Sequence, residues 1–441
     1  MQIIHTLTIL ILSSLIILGC ETTQIPPKTT NNEISSLKTN NLEEEKIEEE
    51  KIEEEKIEEE KIEESKSEKL NIDRNKIIKV GLLLPLNGKH YRIGQSLLKA
   101  AELALYKTKN PNIRIFVRDT SDIGSVTKAY YEFQDLEIDV ILGPVFSDKV
   151  TELKSLSLND DRQIITFSNN LNVSGTNVYT SGITLKNEIE IILNFALKKN
   201  YNKFSIIAPD NSYGKEVVNH FHNFLSDRTG TINKEVFFNI KNPDFYEVAK
   251  KVSDYANRHN ALLEHIEFLK TQDTEESKKQ IKLLKKEDTY GELNFDALFI
   301  VIENFQQLSL LSSTLPYYDV DPKKIQYFGT HVWDKTAIVK EPGLSNSIFV
   351  TLDKNKVATF KDLYKNIYDE KPHSIAVYAF DSIGLISSLQ NKNLEISAKN
   401  ILSENGFNGL SGTFKFDKTG SIHRSLKLYQ IKNEKIIEID N

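Results

Sequence analysis

The feature that most constrains this chain is a rhythm: short apolar runs alternate with longer stretches of helical period. The first run, Ile77-Ile78-Lys79-Val80-Gly81-Leu82-Leu83-Leu84, is almost continuously apolar and stops at Pro85. A strand buried on both faces of a parallel sheet has that appearance. A helix is expected from about Ile93 to Lys107, with Leu97, Leu98, Ala101, Ala104 and Leu105 supplying its apolar side. Further strand-like runs follow at Ile113–Val117, Asp139–Leu142, Gln163–Phe167, Phe204–Ala208, Ile232–Phe238, Ala297–Ile302, Gln326–Phe328 and Ser347–Thr351, with helical stretches between most of them. Strand alternating with helix calls for right-handed crossovers and a doubly wound α/β architecture.

The later part of the chain leaves that rhythm. After helices at about Ile375–Leu389 and Ser397–Ser403 come Gly412-Thr-Phe-Lys-Phe416, a turn at Asp417-Lys-Thr-Gly420, and alternating strands through Leu428 and Ile436. An antiparallel meander closing a run of βα units resembles the layout of type I periplasmic binding proteins, in which two Rossmann-like lobes are joined by three hinge crossovers around a cleft. Val80-Gly-Leu-Leu-Leu-Pro-Leu-Asn-Gly88 is similar to the first strand and loop of the leucine/isoleucine/valine-binding type, and Ile141-Leu-Gly-Pro144 with Ser147 to its second cleft loop. Four further segments are similar to the penicillin-binding protein activator family of lipoproteins. They are Phe295-Asp-Ala-Leu-Phe-Ile300, Leu315-Pro-Tyr-Tyr-Asp-Val-Asp-Pro322, Phe328-Gly-Thr-His-Val-Trp-Asp334 and Gly406-Phe-Asn-Gly-Leu-Ser-Gly-Thr-Phe414, together with Tyr378-Ala-Phe-Asp381. The resemblance covers residues 77 to 439. It places 77–178 and 352–406 in lobe 1, and 179–351 and 407–441 in lobe 2.

What precedes the lobes has a different character. The single cysteine, Cys20, closes an apolar run ending Ile17-Leu18-Gly19, which resembles a bacterial lipobox. The apolar stretch Leu7–Leu18 fits a secretory signal better than a spanning helix, which needs about 20 apolar residues. Residues 1–19 are therefore expected to be a signal peptide and Cys20 the lipidated anchor, although Met1-Gln2-Ile3-Ile4-His5 lacks the usual Lys or Arg. With that thiol assigned, disulfides, cysteine metal sites and a cysteine nucleophile drop out. From Glu43 to Glu64 the chain repeats Glu-Glu-Glu-Lys-Ile, carrying 14 Glu and 4 Lys. A five-residue step moves each Ile about 140° around a helix, so no apolar stripe forms. Residues 20–76 read as a self-repelling, solvated leash. Removing its repeat from the net charge of −7 leaves +3 elsewhere, too little for nucleic-acid binding. Glu21, where an aspartate commonly retains lipoproteins at the inner membrane, points to the outer membrane.

Candidate site residues follow from the resemblance and from strand ends, where ligands sit in open α/β sheets. Asn87, Ser168 and Asn169 end strands that face the cleft, or make turns there. Ser147 heads a helix after Gly143-Pro144, as a carboxylate-holding hydroxyl or as an ordinary N-cap. Tyr213, in Asp210-Asn-Ser-Tyr-Gly214, is placed to close over a ligand, with helix capping by Asp210 or Ser212 as the other reading. Asp381 would accept a ligand ammonium or serve the hinge. Trp333, the sole tryptophan, would stack on a ligand or anchor a core. His220 and His222 project about 200° apart on a helix, and no zinc, phosphate-loop or nucleophile-elbow motif occurs. The reading is therefore of a protein without enzymatic activity, cofactor or metal. Residues 244–292 read as a helical pair, with Val248, Val252, Tyr255, Leu262, Ile266 and Leu269 on one apolar side and Ile281, Leu283 and Leu284 on the other.

The resemblance implies a lipid-anchored periplasmic protein that binds and activates a peptidoglycan synthase. The alternative is the substrate-binding lipoprotein of an ABC importer for branched-chain or other amino acids. The partner is then an importer permease, and a small amino acid is the ligand.

Overall fold

The computed structural model describes residues 76–440. The expected signal segment, Cys20 and the linker up to residue 75 lie outside the described residues.

The first sheet is built as the sequence rhythm requires. Strands β1 (Ile78–Leu84), β2 (Ile113–Asp119), β3 (Val140–Leu142), β4 (Gln163–Thr166) and β5 (Val178–Thr180) are all parallel, in the order β2-β1-β3-β4-β5. Helices α1 (Tyr91–Thr108), α2 (Ser125–Asp135) and α3 (Ser147–Leu156) make the crossovers. The strand β1 is apolar throughout because both its faces are covered. Leu82 and Leu84 join the cluster that includes Leu97 and Ala101 of α1, while Leu83 joins Phe133 and Ile141 on the opposite side.

After β5 the chain enters a second lobe: α4 (Leu185–Lys198), β6 (Lys203–Pro209), α5 (Ser212–Leu225), β7 (Thr231–Phe238), α6 (Phe245–Val252), α7 (Tyr255–Gln272), α8 (Glu275–Leu284), β8 (Ala297–Ile300), α9 (Phe305–Thr314), β9 (Gln326–Gly329) and β10 (Ile348–Thr351). It then returns for α10 (Lys354–Tyr368), α11 (Ala376–Asn391) and α12 (Ala398–Ile401). These belong with lobe 1: the Tyr368 hydroxyl donates to the Lys99 carbonyl at 2.9 Å, and Asn110 of lobe 1 bonds to Gln390 of α11. Strands β11 (Phe407–Gly409), β12 (Gly412–Phe416) and β13 (Ile422–Arg424) form a small antiparallel sheet, and β14 (Lys427–Lys432) and β15 (Lys435–Ile439) finish the large one. That sheet runs β15-β14-β10-β9-β8-β6-β7, parallel from β10 to β7 and antiparallel at β14 and β15.

The chain thus passes between lobes three times, at 181–184, 352–353 and 425–426. Two of these differ from the expected boundaries. The change at 178/179 falls inside β5, and the strands after 406 begin on lobe 1. There the Thr180 N–H donates to the Gly420 carbonyl at 2.9 Å, and Phe416 packs on Tyr179 with ring centroids 5.2 Å apart.

The expected helical pair is three helices. Asp254 adopts a left-handed conformation (φ 56°), which Asp tolerates better than most residues, and this separates α6 from α7. Leu262, Ile266 and Leu269 are buried as expected. Leu283 is not part of the apolar side of α8: it is 64% exposed. No helix among the described residues is long and apolar enough to cross a membrane.

Candidate functional site

The strand ends of lobe 1 bring several expected residues close together. The loop after β1 is organised by Asp119 at the end of β2. It accepts from the Leu86 N–H at 2.7 Å, the Ser121 hydroxyl at 2.6 Å and the Asn87 side-chain amide at 2.7 Å. Burial works against the Asp119 charge, yet these donors hold its carboxyl down at about 2. Asn87 is therefore engaged inside its own lobe. Ser147 is the first helical residue of α3, one position past the N-cap, which is Phe146. Its hydroxyl lies 3.2 Å from that of Ser168, and Ser168 also accepts from the Asn170 N–H at 3.1 Å. Asn169 is exposed beside them. This wall carries two adjacent hydroxyls and, at Asn169, an exposed amide.

On lobe 2, α5 is capped by Asn211, whose side chain accepts from the Gly214 N–H at 2.9 Å, rather than by Asp210 or Ser212. Tyr213 follows at the second helical position. Burial, reinforced by the charges of Glu188, Glu303 and Glu216, keeps its hydroxyl protonated far above the ordinary tyrosine range. Glu188 was not expected from the sequence. It lies in the first turn of α4, where the helix dipole favours a carboxylate, and is 1% exposed. Its Oε1 accepts from the His331 N–H at 2.6 Å and pairs with His331 Nδ1 at 2.9 Å. Burial pulls the imidazole down, but the Glu188 charge and hydrogen bond raise it above its usual 6.5. Glu188 and Glu190 look alike in the sequence of α4, so nothing there marks Glu188 for such a pair, and His331 stands out only through the segment Phe328–Asp334.

For two candidate residues the structure agrees with the second of the readings open to them. Trp333 is wholly buried in the lobe 2 core, so close to Gly329 that a Cβ there would lie 2.1 Å from the indole. It has no face to offer a ligand. Asp381, in α11, is 5% exposed, and both its oxygens are occupied. Oδ1 accepts from the Leu410 N–H at 2.8 Å, and Oδ2 from the Ser411 N–H at 2.9 Å and from the Ser411 hydroxyl. Gly409 makes this approach feasible, since a Cβ there would come within 2.3 Å of the carboxylate.

The partner of Ser411 is Arg424 at the end of β13. Arginine only donates, so the Ser411 oxygen accepts from Nη1 and turns its own proton to Asp381. Nη2 of Arg424 donates to the Ser181 carbonyl at 2.8 Å, and the guanidinium lies 5.1 Å from the Tyr378 ring and 4.8 Å from the Phe414 ring. Burial raises the Asp381 carboxyl above its ordinary value, against the pull of Ser411 and Arg424. The network joins α11, the small sheet and two of the three crossings. Its bonds run across the hinge and leave neither Asp381 oxygen without a partner.

Two sheets, the first parallel and the second parallel except at β14 and β15, joined by three crossings give the fold of type I periplasmic binding proteins. Comparison with known proteins agrees. A protein from Rhodospirillum rubrum described as a "putative branched-chain amino acid ABC transporter" matches 82% of this chain and 100% of its own with a TM-score of 0.66 at 13% identity. Full-length LpoA from Haemophilus influenzae matches 84% of this chain and 60% of its own, with a TM-score of 0.59 at 16% identity. At such identities the likeness establishes the fold. The sequence model of the family described as "LppC putative lipoprotein" matches residues 65–325, more than half of the chain. The chain belongs to that family, the penicillin-binding protein activator family. An uncharacterized protein of Rickettsia prowazekii, RP748, is 22% identical over 195 residues, 44% of this chain and 52% of the other. The chain thus spans about half the length of the curated relative it matches.

Proposed function

We propose that this is a non-enzymatic, lipid-anchored protein of the periplasmic face, leaning to the outer membrane, that binds and promotes a peptidoglycan synthase. Membership of the activator family supports the class of function. The observation that carries the reading is the surface of the α7–α8 hairpin on lobe 2. His265 stacks on Tyr290 with ring centroids 4.4 Å apart and on Phe268 at 6.3 Å. Phe268, Tyr290, Leu263 and Leu283 are all exposed. Scattered exposed apolar residues need no explanation, but aromatic groups gathered on one hairpin are the kind that anchor protein interfaces. Asp381, the candidate acceptor for a ligand ammonium, and Trp333, the candidate stacking face, are meanwhile engaged inside the protein.

The test is reconstitution. A purified bifunctional penicillin-binding protein from the same organism is assayed for glycan polymerisation and cross-linking with and without the full chain, and with Phe268→Glu and Leu283→Glu variants. Stimulation by the wild type and its loss in the variants are expected. No stimulation by the wild type would refute the reading.

The second reading, a solute receptor for an importer, is supported by the fold and by Ser147, Ser168 and Tyr213 at the strand ends. Calorimetric titration with branched-chain amino acids tests it, and saturable micromolar binding would place it first.

A further inference from the structure

A cavity of about 490 Å³ lies away from the facing strand ends, between α11 and β11. Leu385, Phe407, Leu410 and Phe414 give it apolar walls, and Lys356 and Lys392 stand among its lining residues. The size and the apolar lining with a few polar groups are those of a small-molecule site.

Two independent observations indicate that it is kept open for a ligand. The first is Gly384, in the middle of the 16-residue helix α11. Glycine there weakens a helix relative to alanine, yet a Cβ at Gly384 would meet no atom within 4 Å. Neither packing nor backbone conformation asks for glycine at this position. Its effect is to leave one wall of the cavity bare. The second is charge. The Lys392 side chain has no ion-pair partner among the described residues, and Lys356 Nζ bonds only to the neutral Asn408 Oδ1, at 2.6 Å. Asp381 is the one carboxylate in the lining, and its oxygens are already taken by Leu410 and Ser411. The cavity therefore offers two cations and no available anion.

We propose that this cavity binds an amphiphilic carboxylate of the fatty-acid type, its chain between α11 and β11 and its carboxylate at Lys392 and Lys356. An aliphatic body fits better than a peptide. Apart from the lysines and the already engaged Asp381, the lining side chains offer only Ser388 and Asn408 as polar groups, and the walls are otherwise Phe380, Leu385, Phe407, Leu410 and Phe414, which suit an aliphatic chain. The site is distinct from the facing strand ends and from the α7–α8 hairpin, and its occupancy does not depend on the function proposed above.

Calorimetric titration of the full chain with dodecanoate tests this. Wild type is expected to bind, and Gly384→Trp, which fills the cavity, to weaken binding at least about tenfold. Lys392→Glu should weaken it and Lys392→Arg preserve it, because the charge is what matters. The apolar segment near the amino terminus is common to all variants, so differences among them report the cavity alone. Gly384→Leu provides a smaller filler, and an unlowered melting temperature for either Gly384 variant shows that the fold is intact. Absence of binding by the wild type, equal affinity in wild type and folded Gly384 variants, or equal binding of dodecyltrimethylammonium would each overturn the proposal.

Discussion

The Arg424 guanidinium donates to the Ser181 carbonyl at 2.8 Å, so the third crossing between lobes is tied to the first. The backbone N–H of Arg424 also donates to Asn187 Oδ1 of α4 at 3.0 Å, which brings lobe 2 into the same knot. A hinge cross-tied in this way resists bending.

Arg424→Met should cost about 3–5 kcal/mol, because it strands the buried Asp381 carboxylate and leaves the Ser181 carbonyl unpaired. Urea denaturation measures the loss. A change below about 1 kcal/mol would mean that the network is solvated and carries no structural role.

The Glu188–His331 pair makes stability depend on pH with a definite sign. A histidine raised in the folded state binds protons more tightly there than in the unfolded chain. Its contribution is whole below its ordinary 6.5 and is lost as pH rises through the higher folded value. His331→Gln retains hydrogen-bonding capacity without the titration. The stability gap between wild type and this variant should be widest in mild acid and close in mild alkali. A gap that is flat or widens with pH contradicts the assignment.

Trp333 can be followed directly, since it is the only tryptophan. Its emission should be that of a buried indole and should not respond to amino acids added in solution. Trp333→Ala should destabilise by about 3–5 kcal/mol. A ligand-dependent shift in emission would restore the tryptophan as a cleft residue.

Phe268→Glu and Leu283→Glu change exposed positions and should alter stability by less than about 0.5 kcal/mol. Any loss of synthase stimulation in these variants is then a loss of contact. If instead they unfold the protein in thermal melts, the hairpin face is an internal packing surface.

Much of the architecture was legible because it depends on local pattern. The apolar run at β1 and the spacing of Leu97, Ala101 and Ala104 are enough to set a buried strand against α1. The short strand β5 has no such pattern, since Val178–Thr180 has three residues and no period to detect. The site was less legible. Ser147 and Ser168 follow from strand-end logic and do lie together. For Asp381 and Trp333 two readings stay open in the sequence, because it shows that a carboxylate or an indole is present but not who its neighbours are. Leu410 and Ser411, far from Asp381 along the chain, take up its oxygens, and Arg424 reaches it only through Ser411. Glu188 and His331, 143 positions apart, meet only through the fold.

The pairing of β14 with β10 sets Tyr429 opposite Phe349 and Leu428 opposite Val350. Between these partners the chain leaves to build α10, α11 and the small sheet on the other lobe. A polypeptide synthesised from its amino end therefore finishes both halves late: lobe 1 waits for α11 and for the small sheet, which ends at Arg424, and lobe 2 waits for β14. The two lobes cannot mature one after the other as beads on a string. A premature stop near residue 425 would leave the flank of β10 as an open apolar edge, free to recruit strands from other molecules.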